Sequence, residues 1–129
     1  MNLHHIGILV FETELLTNLF ETMSWKKFGQ TYNSTYGIEA QFISNGQISI
    51  ELFVPKENKN LRNILRRNGN HIHHLAFEVE DIETQANLLE SKGYHILGDT
   101  PAPGFEGRPV VFIDPLDSKG ILIELIGKR

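Results

Sequence analysis

The chain contains no cysteine, which excludes both a disulfide framework and a thiolate metal site. It has no run approaching the ~18 consecutive apolar residues of a membrane-spanning helix. It lacks a basic excess: the net charge is −4, whereas a nucleic-acid binder normally shows a basic balance or face. The opening MNLHHIGILVFE has neither a basic leader region nor a long apolar core, so the expectation is a cytoplasmic chain without a signal peptide. What is present is 40% hydrophobic and 22% charged residues over 129 positions. That describes a single globular domain able to bury a core.

The chain also contains a repeat. LHHIGILV (3–10) returns 69 residues later as IHHLAFEV (72–79). At that offset, positions 4–29 match 73–98 at 8 of 26 places: His4, His5, Val10, Glu14, Asn18, Leu19, Glu21 and Gly29. ISIELF (48–53) is echoed by ILIELI (121–126). Each half therefore carries a histidine on its first strand and a glutamate on its last. Such self-similarity indicates a duplicated supersecondary unit.

Periodicity supplies the elements. Leu3–Val10 alternates as a strand, and Leu15, Leu16, Leu19, Phe20 and Met23 recur at helical spacing. Trp25–Tyr32, the IEAQFIS segment and Gln47–Val54 read as strands, with Asn45-Gly46 as a hairpin turn whose residues tolerate positive φ. Residues 1–54 thus form one βαβββ module. Residues 55–70 are a polar, basic connector with a short helix at Leu61–Arg67, stopped by Gly69. Residues 71–129 repeat the order, with Asp81 capping the helix Ile82–Lys92 and a Pro/Gly loop at 100–107 that is a plausible lid. The fold class is α+β: two tandem βαβββ modules with eight strands.

Strand parity sorts the side chains. Ile6/Ile8/Val10, Ile48/Ile50/Leu52, Leu75/Phe77/Val79 and Ile121/Ile123/Leu125 form the core sets. His5, Glu51, His74 and Glu124 occupy the opposite parity, away from the helices. Setting an acid between Ile50 and Leu52, or Ile123 and Leu125, is costly without compensation. Neither strand carries Lys or Arg. A divalent cation held by two imidazoles and two carboxylates would compensate both acids. Such a donor set suits Mn, Co, Ni, Fe or Zn better than Ca.

With those residues placed, the chain resembles the vicinal oxygen chelate superfamily, which includes glyoxalase I, methylmalonyl-CoA epimerase, extradiol dioxygenases and the fosfomycin and bleomycin resistance proteins. LHHIGI, IELF, HIHHLAFEVEDIE and GRPVVFIDPLDSKGILIELI carry the resemblance. It implies an open, U-shaped eight-stranded sheet around a metal bound by His5, Glu51, His74 and Glu124. The methylmalonyl-CoA epimerase branch is the most similar, through LRNILRRNGNHIHHLAFEVEDIE and GILIELI. The chain departs from that branch at Asp114, where epimerases commonly carry a histidine. The branch's second acid falls one position from Glu39, and alternation is expected to put Glu39 on the ligand side.

The resemblance implies proton transfer next to a carbonyl or thioester through a metal-stabilised enolate. Glu124 is the expected base and Glu51 or Glu39 the acid. Arg108 is a candidate for a substrate carboxylate. Connector cations, among them Arg66 and Arg67, are candidates for the phosphates of an acyl-CoA. Alternatives are a glyoxalase I-like lyase and a non-catalytic, bleomycin-resistance-type binding protein. An intact four-residue set weighs against the binding protein and against the three-ligand dioxygenase and fosfomycin patterns. A homodimer is expected, because unpaired module edges invite self-association.

Overall fold

The computed structural model describes residues 1–103 and 107–128, with side chains outside 98–106. Among the described residues there are eight strands and three helices. The first half contains β1 (Asn2–Leu9), α1 (Glu14–Thr22), β2 (Lys26–Asn33), β3 (Ile38–Ser44) and β4 (Ser49–Pro55), followed by α2 (Lys59–Asn68). The second contains β5 (His71–Glu78), α3 (Ile82–Ser91), β6 (Ile96–Pro103), β7 (Pro109–Ile113) and β8 (Leu122–Ile126). This is the βαβββ order stated twice, with a helix in the connector.

The contacts group into two compact units, His5–His73 and Met1–His4 with His74–Arg129. The connector helix therefore belongs with the first unit. Within that unit the strands lie in the order β2-β3-β4-β1, and within the second β5-β8-β7-β6. The pairs β1/β4 and β5/β8 are parallel, and the remaining recorded pairs are antiparallel. A parallel pair needs a crossover rather than a tight turn; each here spans a helix and two strands.

Each unit has its own apolar core. In the first, Val10, Ile43, Ile50 and Leu52 are buried against Ile8, Leu16, Phe20, Trp25 and Val54. In the second, Val79, Ile82, Val111 and Leu125 pack with Phe77, Leu89, Ile96 and Ile123. Only part of the apolar spacing of α1 is used this way: Leu16 and Phe20 join the core, while Leu15, Leu19 and Met23 are exposed.

Turn chemistry differs from expectation in two places. At Asn45-Gly46 only Gly46 has positive φ, at 95°. Asn45 acts through its side chain, whose Oδ1 accepts from the Gln47 and Ile48 amides at 3.0 and 2.8 Å, an Asx-type turn. The segment read as a Pro/Gly loop is strand as far as Pro103. It is an end strand of its unit's order, where missing proline donors are tolerated. The rest of the expected lid, 104–106, lies outside the described residues.

The connector helix is longer than its apolar spacing implied, because Asn58 starts it. Asn58 Oδ1 accepts from Leu61 N at 3.0 Å, and its Nδ2 donates to Tyr36 O at 2.8 Å. Gly37, at φ 61°, makes this approach possible: a Cβ there would stand 3.2 Å from Asn58 N. Asp81 caps α3 as expected, accepting from Thr84 N at 3.1 Å. Replacing Asn58 by alanine removes a cap and a tie between segments. The unfolding midpoint in urea should fall by the equivalent of about 1–2 kcal/mol, with the slope unchanged. An unaltered midpoint would contradict this role.

Candidate metal and proton-transfer site

In the first unit, β1 and β4 pair in parallel with His5 opposite Ser49 and Gly7 opposite Glu51. His5 and Glu51 are therefore offset by two residues on adjacent strands and share a face. His5 Nε2 and Glu51 Oε1 are 3.4 Å apart, with side chains 1% and 12% exposed. The imidazole is also held edge-on to Phe42, with ring centroids 6.0 Å apart.

The second unit repeats this register. His74 lies opposite Leu122 and Ala76 opposite Glu124, so the histidine and the glutamate again differ by two positions on one face. Both are buried, at 6% and 8% exposure. The duplication seen in the sequence is thus a duplication of geometry within each half.

Two further features repeat. The residue directly beside each acid on the parallel strand is small, Gly7 or Ala76. The residue opposite each acid on the antiparallel strand is an aromatic: Phe42 faces Glu51, and Phe112 faces Glu124. Sequence reasoning missed both phenylalanines. The signal was a Phe-Ile pair before each hairpin, 42–43 and 112–113. Phe42 precedes Glu51 by nine residues and Phe112 precedes Glu124 by twelve, because the hairpin loops differ in length. A fixed-offset comparison therefore does not align them.

The face opposite the helices is no less buried than the helix face. In the first unit it carries His5, Leu9, Ala40, Phe42 and Phe53, all buried. Its margin is a row across the strands: Ser49 opposite His5, Ser44 opposite Ser49, and Lys26 opposite Ser44. A shift in register between Lys27 and Gly29 marks a bulge at Phe28. Bulges re-aim side chains, and Phe28 packs on Phe42 at 5.7 Å. Lys26, Phe28, Ser44, Gly46 and Ser49 line a hollow of about 390 Å³, the size of a small-ligand pocket.

Glu39 does not belong to this face. The pairing places Phe42 opposite Glu51 and Glu39 opposite Val54. Glu39 therefore shares parity with Gln41 and Ile43, on the helix side. Its carboxylate lies 3.5 Å from Lys56 Nζ and accepts from Gln30 Nε2 at 3.3 Å. The expected catalytic placement of Glu39 is overturned.

Arg108 is already committed. Its Nη2 donates to Glu78 Oε2 at 2.6 Å and its Nε to the Gly127 carbonyl at 2.9 Å, and the side chain is 11% exposed. It acts as a clamp between segments rather than an open carboxylate receptor. Arg66 and Arg67 lie in the last turn of α2, where positive charge complements the helix dipole. Arg66 lines a second hollow with Lys59, Arg62 and Asn63; Arg67 is not part of that lining.

The donor chemistry fits a divalent cation. Two ligand atoms about 2.1 Å from one ion are roughly 3.0–3.4 Å apart in adjacent octahedral or tetrahedral positions. The His5–Glu51 separation of 3.4 Å falls in that range. Imidazole nitrogen with carboxylate oxygen is a borderline donor set, suited to first-row metals and zinc.

A duplicated βαβββ frame with one His–Glu pair per half defines a class. The chain belongs to the glyoxalase/bleomycin resistance protein/dioxygenase superfamily, whose family model matches residues 4–112. Within that class, it is 32% identical over 127 residues to ethylmalonyl-CoA/methylmalonyl-CoA epimerase of Cereibacter sphaeroides, covering 95% of each chain. Methylmalonyl-CoA epimerase from Mycobacterium tuberculosis shares the fold, with a TM-score of 0.92 at 24% identity over 98% of this chain and 87% of that one. A Streptomyces coelicolor methylmalonyl-CoA epimerase variant in complex with 2-nitronate-propionyl-CoA aligns with a TM-score of 0.89 at 26% identity, covering 99% of this chain and 94% of that one. Among the described residues, no helix is long and apolar enough to cross a membrane.

The Arg108–Glu78 pair gives a pH prediction. The Arg108 hydrogen bond holds the Glu78 carboxyl below its ordinary value, outweighing burial, which pushes it up. A lowered carboxylate pKa contributes stability that is present above the unfolded value, about 4.3, and lost as pH falls through the folded one. Melting temperature should therefore decline below about pH 4.3. Arg108→Ala should lower it at neutral pH and flatten that decline; an equally steep decline in the variant would reject the assignment.

Proposed function

We propose that this protein is a divalent-metal-dependent acyl-CoA epimerase of the methylmalonyl-CoA type, with His5, Glu51, His74 and Glu124 as the metal ligands. The observation that carries this reading is the repeated His–Glu diagonal, in which His5, His74 and Glu124 are buried and Glu51 is 12% exposed. It occurs in a chain similar to an epimerase over nearly its whole length. Within one unit, His5 and Glu51 can each offer one ligand atom to an ion.

A bound cation would polarise the thioester carbonyl and stabilise the charge that develops when the adjacent proton leaves. The chain's own residues supply the proton chemistry. Glu124 takes the proton from the carbon between the carbonyls. Glu51 returns one to the other face, inverting that carbon. Gly7 and Ala76 keep side-chain bulk away from the two acids. Phe42 and Phe112 stand opposite them on the neighbouring strands, and limiting water strengthens electrostatic effects on the reacting carbon. The 390 Å³ hollow beside His5 is the proposed seat of the acyl group.

A homodimer is part of the proposal. Leu15 and Leu19 on α1 and Met23 at its C-cap expose large apolar side chains at four-residue intervals, the spacing of one helical stripe; with the exposed Phe11 before the helix, they form a surface that a second copy would cover.

Solvent exchange tests the activity. In D2O the metal-loaded protein should wash deuterium into methylmalonyl-CoA while interconverting its epimers. Glu124→Gln should slow both by roughly 10²–10⁴-fold, the usual worth of a positioned acid–base group, and chelation should abolish both. Conversion of a hemithioacetal without exchange into the acyl-CoA would instead establish a lyase. Tight binding of small molecules with neither reaction and no metal uptake would establish a sequestering protein.

A further inference from the structure

α2 carries Lys59, Arg62, Arg66 and Arg67 and no acidic residue. That is four of the twelve Lys and Arg residues of a chain whose net charge is −4. Three of them, Lys59, Arg62 and Arg66, line one hollow of about 200 Å³ together with Asn63. Among the described residues, none of these three has an ion-pair partner. The arrangement is unfavourable for the helix by itself. Arg62 and Arg66 are a like-charged i,i+4 pair, which opposes helix formation. Lys59 sits in the first turn, where the dipole disfavours a cation. An anionic ligand would offset both effects.

The dimensions specify the ligand further. Lys59 and Arg66 are seven residues apart, about 10 Å along the helix, so the cations form a row rather than a point. The hollow has room for a phosphate or diphosphate but not for a whole nucleotide. Guanidinium groups recognise phosphate oxygens bidentately, and Asn63 adds a neutral amide donor. The helix lies beyond the end of the strand that carries Glu51. From Glu51 to the strand's last residue, Pro55, is roughly 13 Å at the usual rise, and α2 begins four residues later. A ligand with its reacting group near Glu51 and its phosphates on α2 has its two ends on separate elements, joined by an arm that bridges from one to the other.

We infer that Lys59, Arg62, Asn63 and Arg66 form the docking site for the phosphate groups of a CoA thioester, and that Arg67 lies outside it. This inference rests on the acyl-CoA reading above. The site supplies binding energy remote from the reacting carbon, so its loss raises KM and leaves kcat unchanged.

The test compares the wild-type protein, the triple variant Lys59→Gln/Arg62→Gln/Arg66→Gln and the control Lys92→Gln. Calorimetry with adenosine 3′,5′-bisphosphate and with CoA should show affinity lost by about tenfold or more in the triple variant only, the effect of even one charge-assisted contact. Wild-type affinity should fall steeply with salt. For methylmalonyl-CoA the triple variant should raise KM without changing kcat. For the pantetheine thioester, which lacks the bisphosphate, KM should not change. Its melting temperature should equal or exceed that of the wild type, because like charges have been removed, so a binding loss cannot be attributed to unfolding. Unchanged bisphosphate affinity, or an equal rise in KM for both thioesters, would overturn the inference. Bisphosphate binding that depends on these cations, in a protein that epimerises no acyl-CoA, would retain the phosphate site and reject the proposed function. Epimerisation with unchanged KM would do the reverse.

Discussion

Parallel register is the constraint on which the candidate site depends. In each half, the first strand pairs with the last so that the histidine lies two residues from the glutamate's partner on the same face. Side chains in a strand alternate with a period of two, so a slip of one residue would turn the acid into the helix-facing core and an isoleucine or leucine out of it. The apolar sets protect this register. Ile50 and Leu52 on one strand, and Ile123 and Leu125 on the other, pack under the helices. The hydrophobic core thereby fixes which way the acids point.

The same constraint explains the residues around each acid. A carboxylate between two core positions needs polar donors on its own face and space to approach them. Glycine or alanine beside it provides space, the histidine provides a donor atom two residues away, and the phenylalanine opposite closes the far side. Charge elsewhere in the chain is satisfied within the protein. Arg108 meets Glu78 and a backbone carbonyl, and Lys128 meets Glu80. Among the described residues, Lys59, Arg62 and Arg66 of α2 have no such partner. That contrast sets paired structural charge apart from the charge proposed to meet a ligand.

Much of this was legible in the chain because duplication and alternation are local signals. The repeated HH, the repeated IEL and the apolar spacing named the strands, the three helices (the connector helix two residues short at its start) and the four candidate ligands. Glu39 shows where alternation stops. Its strand has two sets, Ile38/Ala40/Phe42 and Glu39/Gln41/Ile43, and each contains large apolar residues. Both faces of this half are buried, so hydrophobicity does not say which set meets Glu51. The hairpin register does. Arg108 shows a second limit: a charged residue at a strand entry looks the same in sequence whether it faces a ligand or a carboxylate thirty residues away.

The sequence by itself determined the duplication, the βαβββ order and the parity of His5, Glu51, His74 and Glu124, because these follow from periodicities of two to four residues and a 69-residue repeat. Only the tertiary structure decided that Phe42 and Phe112 complete each pair, that Glu39 lies on the other face and that Arg108 is already bound. It alone showed that Lys59, Arg62 and Arg66 share a hollow without Arg67. Those outcomes depend on hairpin register and on contacts between residues far apart in the chain. Loop length and packing set both, and neither leaves a periodic trace in the sequence.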